Sequence, residues 1–327
     1  MTLSRQSVQS ILQAVPSLKV LVIGDGMLDH YIFGDAERIS PEAPVPVIRI
    51  EREAYRLGGA CNVALNLKSL GANVAFLGSV GTDEAGSTLQ RLLKEADIEF
   101  CDKNFRSDVQ TIVKTRVIAR HQQLCRLDRE RKFSEASVAA VIAQAEAFLK
   151  KNAVSAILVS DYAKGTITQA LLNKLVELKK RYSFFLSVDP KPKNALCYDG
   201  VDLLKPNRIE ALQLANFNAE PNRTFPSDAV AKEIFKHHSV RYLAVTLGEQ
   251  GIALAENGGS IHMAPAVAKE VFDVSGAGDT ALAALTVAFC TNRTPSEAIA
   301  FANLLSGIVI RKVGTAVTTP DEILAYA

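Results

Sequence analysis

The amino-acid sequence predicts an α/β protein with a doubly wound, mainly parallel sheet and a small antiparallel β lid. The main sheet is predicted by short apolar runs rich in Val, Ile and Leu, which alternate with segments of helical spacing. The lid is predicted by two stretches that alternate apolar and charged residues, as half-exposed strands do. The chain has 327 residues, and α/β folds reach this length as one unit, so we expect one domain over residues 1–327.

The elements of the main sheet follow one another along the whole chain. A short helix is predicted over residues 3–17, and the compact apolar run Lys19–Gly24 has the character of a buried parallel strand. Further strands are predicted at Val74–Gly78, Ala156–Ser160, Phe184–Val188, Asp202–Lys205 and Arg241–Thr246, and further helices at 60–70, 85–95, 134–150, 167–181 and 295–311.

The lid is predicted from two segments, approximately 30–58 and 108–130, that are inserted between α/β units. Val45–Arg52 and Thr111–Arg120 alternate apolar and charged residues, whereas Ile39–Pro46 is too rich in proline for a helix or a central strand. A small sheet of this kind has one apolar face that needs a partner surface. We therefore expect either a substrate lid or a dimer clasp.

Composition excludes several classes of partner. Hydrophobic residues make up 48% of the chain, and 37 Lys+Arg against 35 Asp+Glu leave a net charge of +2, which indicates neither a nucleic acid nor an acidic membrane as partner. No apolar run reaches the ~18 residues of a membrane span, and the N-terminus lacks a signal-peptide pattern. The five cysteines form no CxxC pair, so we expect free thiols and a cytoplasmic protein.

Polar clusters follow five of the predicted strands. Because the carboxyl ends of parallel strands meet at one edge of a sheet, these clusters predict a ligand site there. Each cluster alone is also compatible with ordinary turn chemistry. The clusters are Asp25 with Asp29, Ser160–Gly165, Asp189–Lys191, Lys205–Glu210 and Thr246–Gly251.

A glycine turn follows the short run Val271–Val274 and precedes an Ala/Leu-rich helical segment. Gly276 and Gly278 allow the backbone to approach a ligand, and the helix start presents unpaired N–H groups, so the turn predicts an anion site. Asp279 lies in the same turn. It either caps the helix or accepts a proton from a hydroxyl group that attacks phosphorus.

Two of these stretches resemble the signatures of the ribokinase (PfkB) carbohydrate kinases. Asp273–Thr280 resembles the C-terminal signature, and Gly58–Ala64 with Leu70–Asp83 resembles the N-terminal one. Other stretches are similar to the D-glycero-D-manno-heptose-7-phosphate kinases of that family: Gly24–Asp29, Arg38–Pro46, Arg120–Asp128 and Ser160–Gly165. The resemblance implies a ribokinase-like homodimer. It also implies ATP-dependent phosphorylation of the anomeric hydroxyl of heptose 7-phosphate, a step toward the lipopolysaccharide core.

The resemblance also assigns roles to residues. It implies that Asp279 is the base and that Gly276, Ala277 and Gly278 donate amide N–H groups to the transferred phosphoryl group. It implies sugar contacts for Asp29, Gly58, Gly59 and Asn62, and nucleotide contacts for Asn207, Glu210, Thr246, Gly248, Gly251 and Asn303. ATP and Mg²⁺ are implied, with Glu210 tied to the metal, and a monovalent cation near Asp273 is left open.

The 7-phosphate of the substrate would need cations. On charge alone, the candidates are Arg120, Arg126, Lys164 and Lys191, since a dianion favours Arg or Lys, although a solvated lid face would also carry such residues.

Three other functions stay open. One is a different sugar kinase of the same family, such as a fructokinase or a ribokinase. Another is a non-catalytic sugar-binding regulator, which would be marked by loss of the aspartate or the glycines, all of which are present. The third is a nicotinamide oxidoreductase. It rests on the Gly24-x-Gly26 pair, which lacks the third glycine of a dinucleotide loop.

Overall fold

The computed structural model describes residues 3–101, 110–120, 122–130, 135–217, 224–267 and 271–327, and omits the side chains of residues 135–137. In these ranges the strands are β1 (Lys19–Gly24), β2 (Gly26–Ile39), β3 (Pro46–Gly59), β4 (Asn73–Leu77), β5 (Glu99–Phe100), β6 (Ile112–Ala119), β7 (Gln122–Arg129), β8 (Ala156–Ser160), β9 (Phe185–Asp189), β10 (Leu203–Leu204), β11 (Tyr242–Thr246), β12 (Ile252–Glu256) and β13 (Ile261–Ala264).

The helices are α1 (Arg5–Ala14), α2 (Ala60–Ser69), α3 (Glu84–Glu95), α4 (Glu135–Lys151), α5 (Gln169–Tyr182), α6 (Arg208–Leu214), α7 (Ser227–His237), α8 (Ala277–Cys290), α9 (Pro295–Val309) and α10 (Pro320–Tyr326). Among these helices, none has both the length and the apolar character that crossing a bilayer requires.

The main sheet has nine strands in the order β13-β12-β11-β10-β9-β8-β1-β4-β5. All neighbours from β11 to β5 pair in parallel, which confirms the doubly wound, mainly parallel sheet expected from the sequence. The edge strands β12 and β13 are antiparallel and were not predicted. The hairpin from β11 to β12 turns at Gly248 and Gly251, both of which have positive φ.

Helices cover both faces of this sheet. Along β1 the side chains alternate: Val20 and Val22 belong to one core, and Leu21 and Ile23 to the other. The first core is closed by α1, α2, α3, α8, α9 and α10, and the second by α4, α5, α6 and α7. Every residue of α8 from Asp279 to Ala288 is buried, which explains why this helix has no polar face in its sequence.

The lid is a separate sheet in the order β3-β2-β6-β7. Its outer pairs, β3 with β2 and β6 with β7, are antiparallel, whereas the central pair is parallel because Ile112 begins β6 beside Met27, near the start of β2. Its strands span 26–59 and 112–129, close to the expected segments 30–58 and 108–130. Residues 108, 109 and 121 lie outside the described residues.

The two faces of the lid differ in character. Cross-strand neighbours in direct register share a face. One face is charged and carries Asp29, Arg56, Lys114, Arg116, Arg126 and Asp128, whereas the other carries His30, Ile32, Tyr55, Val117, Cys125 and Leu127. On this second face Tyr55 is 42% exposed and Leu127 is 60% exposed. The lid therefore has a polar face and a partly apolar, solvent-accessible one.

Gly24, the last residue of β1, lies where three elements meet. A Cβ atom built there would lie 2.3 Å from the carbonyl oxygen of Ser160 and 2.6 Å from the Cβ of Ala60. Both distances are far below a van der Waals contact, and one of the neighbours is backbone, so a side chain at position 24 would have to push β1 away from β8.

We expect Gly24→Ala to lower the free energy of unfolding by about 2–3 kcal/mol, the usual cost of overpacking a core. Gly259→Ala, at an exposed turn where the new Cβ meets nothing closer than 3.2 Å, is the matched control and should stay within about 0.5 kcal/mol. Urea unfolding followed by circular dichroism measures both. Equal effects of the two substitutions would contradict close packing at Gly24.

Candidate active site

The glycine turn begins α8 as the sequence predicts. Gly276 is the residue before the helix and has φ of 82°, a left-handed conformation that favours glycine. No side chain caps this end of α8. In the described part of the chain, the amides of Gly278 and Asp279 have no hydrogen-bond acceptor, whereas the amide of Ala277 donates to Val274 at 3.2 Å. The turn therefore offers N–H groups and the positive end of a helix to an anion.

Asp279 is buried beside these amides, with 6% of its surface exposed. Each of its carboxylate oxygens accepts one hydrogen bond: the Asn62 side chain donates to Oδ2 at 2.7 Å, and the Tyr162 hydroxyl donates to Oδ1 at 2.9 Å. Burial raises the pKa of Asp279 to about 6, with a contribution from the charge of Asp189, while the two donors and Lys205 act in the opposite direction.

A buried polar chain connects α2 to α8. The Asn66 side chain donates to the carbonyl oxygen of Asn62 at 2.8 Å and accepts from the Thr280 hydroxyl at 2.7 Å. These bonds fix the start of α2 against the start of α8. They hold Asn62 next to Asp279, where its side chain donates to the carboxylate.

Two lysines and three carboxylates face Asp279 from the ends of neighbouring strands. Lys205 is 2% exposed, and its Nζ lies 3.0 Å from Asp189 and 3.6 Å from the position of a Cβ built on Gly278. Lys191 forms an ion pair with Glu210. Asp161 completes the set: burial raises its pKa to about 7, although the Ala163 amide and the Asn194 side chain donate to it.

These groups line one cavity of about 180 Å³, and a second cavity of about 820 Å³ lies beside it. Asn207, Thr246 and Gly278 line both cavities, so the two form one continuous cleft. The larger part has many apolar lining residues, among them Val267 and Ile310. Its size and apolar lining suit a ligand with an aromatic ring, and the smaller part suits charged groups.

The predicted nucleotide-side residues lie together in this cleft. Asn207, Thr246, Gly248, Gly251 and Asn303 all line the larger cavity, and Glu210 lines the smaller one. Asn207 and Glu210 also form a capping box at the start of α6. The Asn303 side chain donates to the carbonyl oxygen of Pro265.

The predicted sugar-side residues form a neighbouring group where the lid leaves the main body. Asp29 lies on β2, and Arg116 of β6 donates to its carboxylate at 2.7 Å. Gly58 packs directly against that carboxylate, since a Cβ at position 58 would lie 2.7 Å from it. Gly59 has φ of 55° and immediately precedes α2, which carries Asn62.

The four cations predicted for a substrate phosphate are not brought together. Lys191 lies in the cleft beside Asp279. Lys164 forms an ion pair with Glu130, and Arg126 donates to Asp128 on the charged lid face. Arg120 has φ of 47° at the turn between β6 and β7, is largely exposed and donates to Asp35. Arg120 is therefore engaged at the lid tip, away from the residues that line the cleft.

Sequence reasoning missed several residues of this site. Tyr162, Asp161, Asp189 and Lys205 belong to the polar clusters at the strand ends, but nothing in those clusters singles out the side chains that reach Asp279. Arg116 lies in the alternating stretch Thr111–Arg120, where its period-2 spacing from Lys114 was the available signal.

Comparison with protein families gives one match over most of the chain. A family described as pfkB family carbohydrate kinase matches residues 17–322. A curated relative, the bifunctional protein HldE of Methylococcus capsulatus, is 41% identical over 309 residues, which cover 93% of this chain and 63% of that protein. The chain spans less than two thirds of the length of such relatives.

Solved structures share the fold at low sequence identity. Phosphofructokinase-2 from Escherichia coli, in complex with substrates and products, superposes with a TM-score of 0.77 at 20% identity and covers 94% of this chain and 98% of its own. Ribokinase from Thermotoga maritima gives 0.69 at 18% identity, over 94% and 99%. The fold is therefore ribokinase-like.

The raised pKa of Asp279 gives the stability of the protein a pH dependence. The carboxyl group has a pKa of about 6 when folded and about 3.9 in an unfolded chain, a difference equivalent to about 3 kcal/mol. Because the pKa is higher in the folded state, the protonated carboxyl group of Asp279 contributes to the free energy of unfolding. This contribution is fully present below pH 4 and is lost as the pH rises through 6. We expect Asp279→Asn to be more stable, relative to the unchanged protein, at pH 8 than at pH 5.

Urea unfolding at pH 5 and pH 8 measures this difference. Asp228→Asn, at an exposed position, serves as the control and should show the same offset at both pH values. A difference between Asp279→Asn and the unchanged protein that stays constant with pH would show that this carboxyl is not destabilised by burial.

Proposed function

Since this chain belongs to the pfkB family of carbohydrate kinases, we propose that it transfers the γ-phosphoryl group of ATP to the anomeric hydroxyl of D-glycero-D-manno-heptose 7-phosphate. The product would be the 1,7-bisphosphate, an intermediate on the way to the ADP-heptose that supplies the lipopolysaccharide core. One observation carries the kinase proposal: a buried carboxylate, Asp279, stands beside free helix amides at the junction of the two cavities.

Asp279 acts as the general base. It accepts the proton of the anomeric hydroxyl, whose oxygen forms a bond to the γ-phosphorus while the bond from that phosphorus to the bridging oxygen of ADP breaks. A pKa of about 6 leaves the carboxylate mostly ionised at neutral pH and makes it a stronger base than an exposed aspartate.

The glycine turn stabilises the charge that develops on the phosphoryl oxygens. The amides of Gly276 and Gly278 have no acceptor in the described chain and lie at the positive end of α8, whereas the amide of Ala277 already donates to Val274. Lys205 brings a buried positive charge next to Gly278. Donors fixed before the reaction, in a site that excludes much of the water, are the most effective form of such stabilisation. The larger cavity, with Thr246, Gly248 and Asn303, receives the nucleotide.

The acidic wall of the smaller cavity fits a divalent cation, which we take to be Mg²⁺. Asp161, Asp189 and Glu210 present carboxylate oxygens there, which is the ligand type that Mg²⁺ prefers. Such an ion would neutralise part of the negative charge of the ATP phosphates. A monovalent cation near Asp273 is supported by Thr315, whose buried hydroxyl oxygen has no partner in the described chain.

The acceptor is proposed to be a sugar phosphate because of the charged lid face. Asp29 and Asn62 lie where sugar hydroxyls would be held, and Arg116, Arg126, Lys114 and Lys164 lie on or beside the same face. Burial lowers the pKa of Lys114, as do Arg126 and Lys164, whereas Asp128 and Glu130 act in the opposite direction, so further negative charge beside Lys114 would favour its ionised form. A phosphate dianion would supply that charge. The similarity to HldE supports the same acceptor.

The lid is also proposed to form a homodimer. Its second face exposes Tyr55 and Leu127 beside Val117 and Ile32, so part of its apolar surface is open to solvent in the described part of the chain. Sheets with one exposed apolar face are normally covered by a partner.

We place the enzyme in the cytoplasm, where ATP is available.

A coupled assay of ADP formation tests the proposed activity. We expect turnover with heptose 7-phosphate and at most weak turnover with fructose, fructose 6-phosphate and ribose. Asp279→Asn should lower kcat by roughly 10²–10⁴, the usual contribution of a general base. Near-normal turnover of this variant would remove Asp279 from the role. A preference for another sugar in the panel would assign the chain to a different kinase of the family.

The dimer is tested by molar mass in solution. We expect twice the 35.3 kDa of one chain by size-exclusion chromatography with light scattering. Leu127→Arg should give the mass of a single chain, because a charge would enter the apolar contact. Met263→Arg, at an exposed apolar position on β13, is the control and should leave the dimer intact. A dimer that persists with Leu127→Arg would contradict association through this lid face.

A further inference from the structure

We propose that Tyr162 is a positioning residue for Asp279: its hydroxyl holds the carboxylate in its ionised form and fixes its orientation in the cleft. The inference rests on the proposed role of Asp279 as the base and concerns a residue to which the resemblance assigned no role. Tyr162 lies 117 residues before Asp279 in the chain.

The hydrogen bonds to Asp279 are the first step of the argument. Tyr162 donates to Oδ1 at 2.9 Å and Asn62 donates to Oδ2 at 2.7 Å, so each oxygen faces one donor and the plane of the carboxylate is fixed. A protonated carboxyl carries its own O–H donor on one oxygen and accepts less strongly there. Two donors that face the two oxygens therefore favour the ionised form.

The backbone that carries Tyr162 is held by a second buried carboxylate. Asp25 is fully buried, and its oxygens accept from the amides of Tyr162 at 3.0 Å, Lys164 at 3.1 Å and Thr166 at 3.2 Å. Ala163 has φ of 57°, so the loop follows a tight path around Asp25. Tyr162 is thus fixed through its main chain, and its side chain needs only its own two torsion angles to reach Asp279.

The Tyr162 hydroxyl stays a donor over the working pH range. A phenol keeps its proton at neutral pH because its ordinary pKa is about 10, and Tyr162 directs that proton to Oδ1 of Asp279. Lys191 lies 5.9 Å from the centre of the ring. Tyr162 is therefore a neutral donor that keeps its proton, and proton transfer to it plays no part in the reaction.

The charges around Asp279 decide how much these donors matter. Lys205 and Lys191 face it from the ends of the main sheet, as do the carboxylates Asp161, Asp189 and Glu210, and Asp29 faces Tyr162 from the lid. Carboxylates outnumber lysines in this set, and burial further disfavours the charge. The hydrogen bonds from Tyr162 and Asn62 thus act against an environment that raises the pKa of Asp279.

Replacing Tyr162 by Phe tests the proposal, since only the hydroxyl is removed. The base works in its ionised form, so kcat/KM falls as the pH drops through its pKa. Loss of one hydrogen bond to a charged group raises that pKa, and we expect the acidic limb of the profile to move up by about one pH unit. Tyr162→Phe should thus lose about tenfold in kcat/KM at pH 5.5 and less than threefold at pH 8.5.

Tyr198→Phe is the matched control. Its hydroxyl is also buried, but in the described chain it has no hydrogen-bond partner, so its removal should leave the pH profile unchanged. The melting temperature and the dissociation constant for ADP, measured with both variants, check that the fold and the nucleotide site are intact.

Two results would overturn the inference. One is a Tyr162→Phe profile that superposes on that of the unchanged enzyme. The other is a loss that is equal at all pH values with an unmoved acidic limb, as a merely structural residue would give. Asp279→Asn separates this failure from that of the proposed function. If Asp279→Asn is inactive and Tyr162→Phe is unshifted, the positioning role alone is wrong. If Asp279→Asn is active, the base assignment fails as well.

Discussion

Burial of one carboxylate next to unsatisfied helix amides is the constraint on which the rest of this structure depends. Burial raises the pKa of Asp279 at the start of α8, and a phosphate group brought to the same amides would add repulsion against its ionised form. The surrounding residues offset this cost in different ways. Asn62 and Tyr162 donate hydrogen bonds, Lys205 contributes positive charge, and the absence of a side-chain cap leaves the amides for a ligand. Asn66 contacts Asn62, Asp25 accepts from the amide of Tyr162, and Asp189 pairs with Lys205. These second contacts explain why so many polar groups are buried around Asp279.

The parallel sheet brings these groups together from distant parts of the chain. Strands β11, β10, β9, β8 and β1 are consecutive neighbours, and each ends at the same edge with a polar cluster. The smaller cavity is lined from the ends of β8, β9, β10 and β11 and from the start of α8. The lid adds Asp29 and Arg116 from the side of β1. A doubly wound fold therefore builds the walls of the cleft from strand ends and from the start of α8.

Much of this could be predicted from sequence because the relevant signals are local. Apolar periodicity located the strands of the parallel sheet, and the two glycines located the turn before α8. Pairings between distant residues carry no such local signal. Asn62 is 217 positions from Asp279 and Tyr162 is 117, and neither contact changes the pattern of its own segment. The antiparallel strands β12 and β13 were missed for a related reason, since their partners are set by the sheet edge. On the lid, charge alone selected Arg120, whereas Arg116 lies two residues beyond Lys114, the register partner of Asp29, and donates to Asp29 from the same face.

The junction between lid and main body has a mechanical consequence. One residue, Asp25, separates the end of β1 from the start of β2, and the returning strand β3 ends at Gly59, directly before α2. Gly26 pairs with Gly59, and the amide of Ala60 donates to the carbonyl oxygen of Asp25. Both strands of the ribbon are thus clamped at their root. In a lid attached in this way, we expect bending to displace the tip near Ile39 most and Asp29 least. On the proposed function, the groups nearest the reacting hydroxyl would thus keep their positions while the outer part of the ribbon moves.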